Sequence, residues 1–313
     1  MNILITGGAG FIGSNLAKFH LQKNDEVFVI DNLITGRLIN IRDLIKNKRF
    51  IFFQTDLLNF KFNKLPSFDI IYHLASPASP PKFRLYPIEI LEVNSVGTKK
   101  VLDFILESKS GVLVFTSSSE VYGDPTVHPQ TETYWGDVNP VGIRSPYNEG
   151  KRFAEALIMA YFRKFKLDLR IGRVFNTYGN NMDKNDGRVV SNFITQSLLN
   201  KPLTVYGDGT QTRSFCFVSD MILGLYKLAT TKNIAGEIIN LGNPTEKNIL
   251  ELAHLIKNIT HSRSKIIFSS KKSDDPKRRK PDITKAKKLL GWEPKVSLEQ
   301  GLSKTIEYYK KQL

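Results

Sequence analysis

Short apolar runs alternate with amphipathic stretches through the first half of the chain. The apolar runs are rich in Val, Ile, Leu and Phe, and most of the gaps between them hold apolar residues at helical spacing. Strands that alternate with helices in this way are typical of a doubly wound parallel sheet, so we predict an α/β fold. The predicted strands cover residues 2–6, 26–30, 50–55, 69–74, 112–116 and 169–174.

Helical spacing dominates from about Arg188 onward, which predicts a smaller second α/β domain. We place a Rossmann domain over residues 1–180 and the smaller domain over residues 181–313, with some elements crossing between them. Because no Gly- or Ser-rich linker separates the two, we expect them to pack closely around a cleft. The second part has predicted helices at 189–199, 220–230, 249–259, 283–290 and 298–310, and strands near 203–206 and 214–218.

The composition fits a globular protein of 313 residues with a formal charge of +15. Lysine and arginine are spread through the predicted helices, with local density only at residues 277–280, so a nucleic-acid surface is not favoured. A lysine-rich background explains most of the excess charge, and attraction of a polyanionic small substrate is the alternative.

Cysteine usage and hydropathy bear on the compartment. The single Cys216 has no partner for a disulfide and no second cysteine at metal-ligand spacing, so no metal is expected. Met1 leads directly into the first strand, and no long uncharged apolar run occurs. We expect a soluble, cytoplasmic protein without a membrane partner.

A glycine-rich turn follows the first predicted strand, with Gly7, Gly10 and Gly13 around Phe11 and Ile12. Such glycines let the chain turn tightly and let backbone approach a pyrophosphate at a helix N-terminus, although a plain strand-to-helix turn looks the same. Asp31 ends the second strand, where a carboxylate accepts hydrogen bonds from an adenosine ribose and repels a 2′-phosphate. We therefore expect NAD. Arg37 weakens that preference slightly, because an arginine there could pair with the 2′-phosphate of NADP.

Tyr147 and Lys151 stand four residues apart, on one face of a predicted helix. We expect the ammonium of Lys151 and the nicotinamide charge to lower the pKa of the Tyr147 phenol from about 10 toward neutrality, which would make it a general base. This spacing alone usually marks an exposed helix. Residues 116–120 change that assessment, because they place hydroxyls at the carboxyl end of the fifth strand, where doubly wound sheets bind ligands.

The chain resembles the extended short-chain dehydrogenase/reductase family and, within it, the UDP-glucuronate decarboxylases, also called UDP-xylose synthases. The resemblance runs from Gly7 to Tyr308 and is far more specific than the glycine turn. Its segments are residues 73–81 (HLASPASPP), 119–125 (SEVYGDP), 128–130 (HPQ), 134–136 (YWG), 185–193 (NDGRVVSNF), 203–209 (LTVYGDG), 211–215 (QTRSF) and 279–283 (RKPDI).

The resemblance implies decarboxylation of UDP-glucuronate to UDP-xylose through a 4-keto intermediate, with NAD reduced and reoxidised in one cycle. Tyr147 would remove the 4-hydroxyl proton and later return it, Lys151 would hold the ribose and tune Tyr147, and Ser118 would share the hydrogen bond at that oxygen. Ser119, Glu120 and Arg279 would surround the carbon that bears the carboxylate and assist decarboxylation and reprotonation.

The resemblance also implies the binding residues and a homodimer, formed through a bundle that includes the Tyr147 helix and the helix around residues 88–106. Asn176 would contact the sugar nucleotide, Arg213 would pair with its diphosphate, and Val205 and Tyr206 would line the uridine pocket. His73 is expected to be packed or hydrogen-bonded, not catalytic. The implied cofactor-binding residues are Gly7, Gly10, Phe11, Ile12, Gly13, Asp31, Asn32, Thr35, Gly36, Arg37, Asp56, Leu57, Leu74, Ser76, Tyr147, Lys151, Thr177 and Arg188. The implied substrate-binding residues are Pro80, Glu120, Asn176, Arg188, Val205, Tyr206, Gln211, Arg213 and Arg279.

The chain departs from the family pattern in two places. Residues 117–120 read Ser-Ser-Ser-Glu where Ser-Thr-Ser-Glu is usual, and Asn180-Asn181 replaces the usual Pro-Arg. Neither change removes a proposed catalytic group, but the second could alter the substrate loop. Many eukaryotic relatives also carry an N-terminal membrane anchor, whereas this chain starts at the first strand.

Three alternatives stay open on sequence grounds. A UDP-glucuronate 4-epimerase or a nucleotide-sugar 4,6-dehydratase would use the same Tyr147 and Lys151 with different auxiliary groups, although a dehydratase usually has Asp-Glu at positions 119 and 120. A dinucleotide-sensing binding protein without activity would be expected to lose Tyr147 or Lys151.

Overall fold

The computed structural model describes residues 1–270 and 276–313 of the chain. Its strands are short, and they fall in both halves of the sequence. In chain order they are β1 (Asn2–Thr6), β2 (Glu26–Asp31), β3 (Phe50–Gln54), β4 (Ile70–His73), β5 (Val112–Ser118), β6 (Leu169–Val174), β7 (Thr177–Tyr178), β8 (Leu203–Tyr206), β9 (Thr212–Ser214), β10 (Cys216–Phe217), β11 (Ile238–Leu241), β12 (Glu246–Asn248), β13 (Ile266–Ser269) and β14 (Arg278–Arg279).

A seven-stranded parallel sheet in the order β11-β6-β5-β4-β1-β2-β3 forms the centre of the molecule. Ile3 and Ile5 of β1 belong to one hydrophobic core cluster and Leu4 to another, as the alternation of side chains along a strand requires. Apolar side chains therefore cover both faces of the sheet, and the predicted doubly wound α/β fold is confirmed.

Helices cover the two faces of the sheet and build the rest of the second half. The helix α6 packs against α4 and α5, and α1 packs against α8. In chain order the helices are α1 (Phe11–Gln22), α2 (Leu38–Ile41), α3 (Pro80–Leu85), α4 (Pro87–Glu92), α5 (Thr98–Ser108), α6 (Ser145–Phe165), α7 (Val189–Leu198), α8 (Val218–Thr230), α9 (Ile249–Thr260), α10 (Thr284–Leu290) and α11 (Leu298–Lys310). Short 3₁₀ turns cover Phe62–Lys64 and Ser119–Tyr122, and a π-helical turn covers Val93–Gly97.

One strand of the large sheet has no counterpart in the sequence-based prediction. The strand β11 joins the sheet beside β6, although it lies beyond residue 180. The buried, polar Asn240 interrupts the apolar run of its sequence. A four-residue run with a polar residue in it carries little periodicity, so its pairing with β6 is a long-range event that local pattern does not report. The sheet is thus completed by an element that crosses between the two parts of the chain.

The smaller part of the molecule is built from short strands that change partners. β8 pairs with β13, while β9 lies between β12 and β14. The predicted strand at 214–218 is wrong in its extent, because β9 ends at Ser214 and β10 pairs instead with β7 before α8 begins at Val218. One core cluster runs from the sheet into this part, so the two parts share buried apolar surface.

No helix within residues 1–270 and 276–313 is long and apolar enough to cross a membrane.

Candidate active site

A deep cleft of about 410 Å³ opens at the carboxyl ends of the parallel strands, where both parts of the chain contribute to its wall. This is where doubly wound sheets bind ligands. All the residues that the sequence analysis selects for the site line this cleft except Val205. Val205 is fully buried in the hydrophobic core cluster instead.

The glycine-rich turn forms one end of the cleft. Gly7 adopts a φ of +75°, and a Cβ on Gly13 would lie 2.3 Å from the Gly7 carbonyl oxygen. Gly10 caps α1 without a side chain, so no side chain covers the N-terminal N–H groups of that helix. Only glycine fits positions 7 and 13, and the result is a bare helix N-terminus suited to a pyrophosphate.

Asp31 lies beside this turn, with its carboxylate fixed by backbone donors. The N–H of Ala9 donates to Asp31 Oδ2 at 2.9 Å, and the N–H of Leu33 donates to Oδ1 at 2.8 Å. Burial raises the pKa of Asp31, and these backbone hydrogen bonds oppose that shift. Each oxygen keeps a second lone pair for a ribose hydroxyl. A Cβ at Gly36 would come within 2.6 Å of the carboxylate, so the loop stays small there.

Two further groups complete this end. Arg37 Nη1 lies 3.6 Å from Asp183 Oδ1, so an acidic side chain compensates the charge that could have favoured NADP. Asn32 donates to Asp56 Oδ2 at 2.8 Å. The glycine turn, the bare helix terminus and Asp31 together fit an NAD molecule.

Tyr147 and Lys151 project from α6 into the middle of the cleft, and both are buried. Lys151 Nζ donates to the carbonyl oxygen of Thr116 at 3.0 Å, which ties the helix to the end of β5. The Phe83 ring stacks on the Tyr147 ring with 4.8 Å between their centroids. These contacts fix the tyrosine and the lysine in one orientation.

Among the chain's own groups, burial has the largest effect on the pKa of Tyr147, and the lowering expected from Lys151 together with the nicotinamide charge stays a prediction. Burial raises the pKa of Tyr147 to about 12, although the Ser118 hydrogen bond opposes it. Burial also lowers the pKa of Lys151 to about 7, with Glu155 acting in the opposite direction. The sequence places Lys151 beside Tyr147 but does not show how deeply both are buried. Desolvation therefore outweighs the neighbouring charges among the chain's residues.

His73 lies below this pair and is confirmed as a packed, hydrogen-bonded residue. Its ring nitrogens lie 2.7 Å from Thr6 Oγ1 and 3.1 Å from Thr98 Oγ1. Burial lowers the pKa of His73 to about 3, so the ring is neutral at ordinary pH.

An acidic and basic cluster lines the same cleft near Tyr147. Glu120, in the 3₁₀ turn after β5, accepts from Arg144 Nη2 at 2.7 Å and from Arg144 Nε at 3.2 Å. Arg279 Nη1 donates to the other carboxylate oxygen of Glu120, and Arg279 Nη2 donates to the Gly123 carbonyl at 2.7 Å. The side chains of Glu120 and Arg279 are nearly buried, with 13% and 2% exposed. The structure thus brings Glu120 and Arg279 together although they lie far apart in the sequence.

The electrostatics of this cluster follow from its composition. Burial alone would raise the pKa of Glu120, but the charges of Arg144 and Arg279 outweigh it and lower that pKa to about 2. Burial lowers the pKa of Arg279, while Glu120 opposes that shift. Glu120 is therefore ionised across the physiological range.

Arg144 is a cleft residue that the sequence analysis missed. It precedes α6, its guanidinium lies 5.7 Å from the Phe83 ring centroid, and it shares Glu120 with Arg279. A usable signal was present: an arginine three residues before Tyr147 stands one turn away from the predicted base, in a cleft expected to take an anionic substrate.

The remaining predicted substrate residues, apart from Val205, also line the cleft. Asn176 Nδ2 is buried and has no hydrogen-bond partner, so it is available to a ligand. Gln211 donates to the Tyr206 carbonyl at 2.7 Å, and Arg213 Nη2 donates to the Pro276 carbonyl at 2.7 Å. Arg188 pairs with Asp186, with 2.9 Å between Nη2 and Oδ2. Ser118, Ser119, Pro80 and Thr177 also line the cleft.

Comparison with known proteins gives a family match over nearly the whole chain. The family model described as GDP-mannose 4,6 dehydratase matches residues 4–305. The UDP-glucuronic acid decarboxylase 1 of Danio rerio is 51% identical over 312 residues, which cover 99% of this chain and 73% of that protein. The UDP-glucuronic acid decarboxylase 4 of Arabidopsis thaliana is 48% identical, and the match covers 100% of this chain and 69% of that protein.

Solved structures of related enzymes have the same fold. A UDP-glucuronic acid 4-epimerase from Bacillus cereus, in complex with UDP-glucuronic acid and NAD, superposes with a TM-score of 0.90 at 32% identity and covers 100% of both chains.

Proposed function

The chain belongs to the UDP-glucuronic acid decarboxylase family, and on that premise we propose that it converts UDP-glucuronate to UDP-xylose through a 4-keto intermediate. The structural observation that carries the proposal is the contact between Glu120 and Arg279 on the cleft wall beside Tyr147. It adds a carboxylate and a guanidinium to the redox pair, at a site where a sugar carboxylate would lie.

The chemistry of the substrate explains why oxidation precedes loss of carbon dioxide. Oxidation of the 4-hydroxyl gives a ketone to which the C6 carboxylate is β. Carbon dioxide can then leave while its bonding electrons pass into an enolate, which is protonated at C5 before the ketone is reduced. The glycine turn and Asp31 would hold NAD, which when bound would supply both the acceptor and the later source of the C4 hydride.

Tyr147 and its neighbours handle the proton at the C4 oxygen. Tyr147 takes the hydroxyl proton and later returns it, while Ser118 shares a hydrogen bond with the same oxygen. Lys151 would hold the nicotinamide ribose. Because the chain's own groups leave the pKa of Tyr147 at about 12, the lowering that a base needs comes from positive charge added when the cofactor binds.

Ser119, Glu120 and Arg279 act at the carboxylate-bearing carbon. Glu120 is ionised, so in this arrangement it accepts hydrogen bonds and orients Arg279. Arg279 and Arg144 together carry more positive charge than Glu120 neutralises, which favours a substrate carboxylate beside them. Ser119 is buried at the start of the 3₁₀ turn that follows β5, next to Glu120, and it lines the cleft.

The nucleotide of the substrate would bind at the end of the cleft that β8 and β9 form. Arg213 would pair with the diphosphate and Asn176 with the sugar nucleotide, while Tyr206 would line the uridine pocket together with Gln211. The buried position of Val205 leaves the pocket wall to Tyr206. Arg188 and Pro80 would contact the sugar between the two ends.

We also propose a homodimer formed through a bundle that includes α6 and the helical stretch from α4 to α5 around residues 88–106. These helices pack against each other, and large apolar side chains around their outer faces are exposed, with 61% of Ile88, 53% of Val96 and 52% of Phe153 accessible. Exposed apolar surface of this kind favours burial against a second copy. Light scattering should give twice the chain mass, and Phe153→Asp should shift it toward a monomer.

A cytoplasmic location without membrane or nucleic-acid partners completes the proposal. The buried, unpaired Cys216 suits a reducing compartment. Cell fractionation tests the location. A mobility-shift assay at low salt tests nucleic-acid binding, and the absence of any shift would agree with the proposal.

The function is tested by incubating the purified protein with UDP-glucuronate and NAD. We expect carbon dioxide and UDP-xylose in equal amounts. A product that keeps its carboxylate would contradict the proposal, and UDP-galacturonate in particular would favour the 4-epimerase alternative that the Bacillus cereus structure represents. A 4,6-dehydratase would not act on this acid, and a dinucleotide-sensing protein would bind NAD without turnover.

A further inference from the structure

Arg279 lies on a short segment, residues 276–282, that is held in place by a fully buried glutamine. The Gln130 N–H donates to the Lys280 carbonyl at 2.9 Å, and the Lys280 N–H donates to Gln130 Oε1 at 2.8 Å. The Gln130 carbonyl also accepts from the Asp282 N–H at 2.8 Å, and Gln130 Nε2 donates to the Val127 carbonyl at 2.8 Å. Gln130 thus satisfies all of its polar groups while it fixes the backbone on the C-terminal side of Arg279.

The N-terminal side of the same segment has its own anchor. The Lys277 N–H donates to Asp124 Oδ1 at 2.9 Å, and the Asp124 side chain is exposed. Asp124 directly follows Gly123, whose carbonyl accepts a hydrogen bond from Arg279 itself. Arg279 is therefore held between two anchors, both of which belong to the chain between β5 and α6.

A chain of buried hydrogen bonds connects these anchors to the sheet. Asn240 of β11 donates to the Gln130 carbonyl at 3.0 Å and accepts from the Tyr122 hydroxyl at 2.8 Å. Arg173 of β6 donates to that same hydroxyl at 2.9 Å and pairs with Glu155, which is one helical turn beyond Lys151. Hydrogen bonds therefore connect the segment that carries Arg279 to the central sheet, although the segment itself is short and irregular.

We propose that Gln130 and Asp124 are positioning residues for Arg279, which hold its guanidinium at Glu120 so that the oxidised sugar loses carbon dioxide and is reduced before it leaves the cleft. Neither side chain is among the residues that line the cleft, so each acts through Arg279. The inference rests on the proposed function and deepens it.

The two halves of the reaction can be separated because different contacts hold their residues. Tyr147 and Lys151 are fixed by α6, by Thr116 and by Phe83, and none of these contacts uses Gln130 or Asp124. Loss of an anchor should therefore leave oxidation of C4 in place. Oxidation passes one hydride to NAD and one proton to Tyr147, so a sugar that leaves as the ketone leaves one NADH behind, whereas a completed cycle leaves none.

The experiment compares three variants with the wild type, with UDP-glucuronate and excess NAD. Gln130→Met removes both side-chain hydrogen bonds at similar size. Asp124→Ala removes the acceptor for Lys277, and Asp124→Asn keeps an acceptor oxygen at an exposed position where misfolding is not expected. UDP-xylose, released ketone and carbon dioxide are measured by chromatography with mass detection, NADH by absorbance, and folding by the melting temperature.

We expect the ratio of NADH to UDP-xylose to rise by about tenfold to a hundredfold in Gln130→Met, as when a catalytic group is displaced by about 1 Å. Asp124→Ala should show a smaller rise, and Asp124→Asn should restore the wild-type ratio. Lower turnover with an unchanged ratio in Gln130→Met and Asp124→Ala would overturn the inference, because a merely structural role slows every step alike. If Gln130→Met does not fold, the Asp124 pair decides alone. A wild type that releases no carbon dioxide would instead contradict the proposed function.

Discussion

The Tyr147–Lys151 pair and the Glu120–Arg144–Arg279 cluster line the same cleft, but the fold assembles them differently. The pair sits on one turn of α6 beside the end of β5, so a local spacing of four residues creates it. The cluster joins a 3₁₀ turn, the residue before α6 and the strand β14, and its Glu120–Arg279 contact spans 159 residues of sequence.

Under the proposed function, this difference separates the residues that oxidise the sugar from those that promote loss of carbon dioxide. A related 4-epimerase with a TM-score of 0.90 has the same fold and was crystallised with UDP-glucuronic acid and NAD. One fold can therefore serve several reactions. In our account the pair oxidises the sugar, and the cluster promotes the loss of carbon dioxide from the oxidised sugar.

The largest effect should come from the redox pair. Tyr147→Phe removes the phenolic oxygen but keeps the ring that stacks on Phe83, so turnover should fall about a thousandfold or more while NAD binding is largely kept. Initial rates of UDP-xylose formation and NAD titration by fluorescence measure the two properties. Retained activity would rule out Tyr147 as the base.

A smaller but more selective loss is expected on the other side of the cleft. Arg279→Gln removes the positive charge that pairs with Glu120. The rate of UDP-xylose formation should therefore fall about a hundredfold. NADH should still appear after mixing, since oxidation does not need Arg279. Arg279→Lys, which keeps the charge but not the planar fork, should lie between the two. If NADH formation and carbon dioxide release fall equally, the assignment of oxidation to the Tyr147–Lys151 pair and of decarboxylation to the cluster is contradicted.

Substitution of Asp31 at the cofactor end of the cleft should lower the affinity for NAD by about tenfold. Asp31→Asn removes the charge and keeps one acceptor oxygen, so affinity for NAD should fall and the preference for NAD over NADP should narrow. Calorimetric titration with both dinucleotides measures this. An unchanged preference would show that another group excludes the 2′-phosphate.

The smallest effect concerns stability and its dependence on pH. Burial lowers the pKa of Lys151 to about 7, so between pH 7 and about 10.5 the unfolded chain binds a proton that the folded chain does not. Stability should therefore rise with pH across this window, and the cost of burying the ammonium is fully present below it. Lys151→Met should raise the melting temperature by several degrees below pH 7 relative to the wild type, and the gain should shrink toward pH 10.

The control for this comparison is Lys164→Met, on the exposed face of the same helix. The difference in melting temperature between Lys164→Met and the wild type should not change over the same pH range. A gain for Lys151→Met that is constant with pH would contradict the burial of a titrating ammonium.

The sequence predicted what depends on local pattern. The glycine turn with Asp31, the tyrosine and lysine on one helix, and most strands of the sheet follow from spacing and periodicity, and the structure places them as expected. The family resemblance added Arg279, which spacing could not have joined to Glu120.

The rest depends on long-range pairing and burial. β11 was missed because Asn240 interrupts its apolar run, yet that same asparagine ties Gln130 to the sheet. The deep burial of Tyr147 was not predicted, because desolvation depends on the whole cleft and not on a neighbouring lysine. Arg144 was missed because its partner, Glu120, is distant in sequence and comes into contact with it only in the folded chain.

The most direct test of the account uses UDP-glucuronate that carries deuterium at C4 and ¹³C at C6, with unlabelled NADH added to the mixture. If the oxidation is temporary and serves the loss of the carboxylate, each UDP-xylose should keep its deuterium at C4, and each ¹³C should leave as carbon dioxide. A product that keeps the ¹³C carboxylate, or UDP-xylose that has exchanged its deuterium for hydrogen from added NADH, would contradict the account.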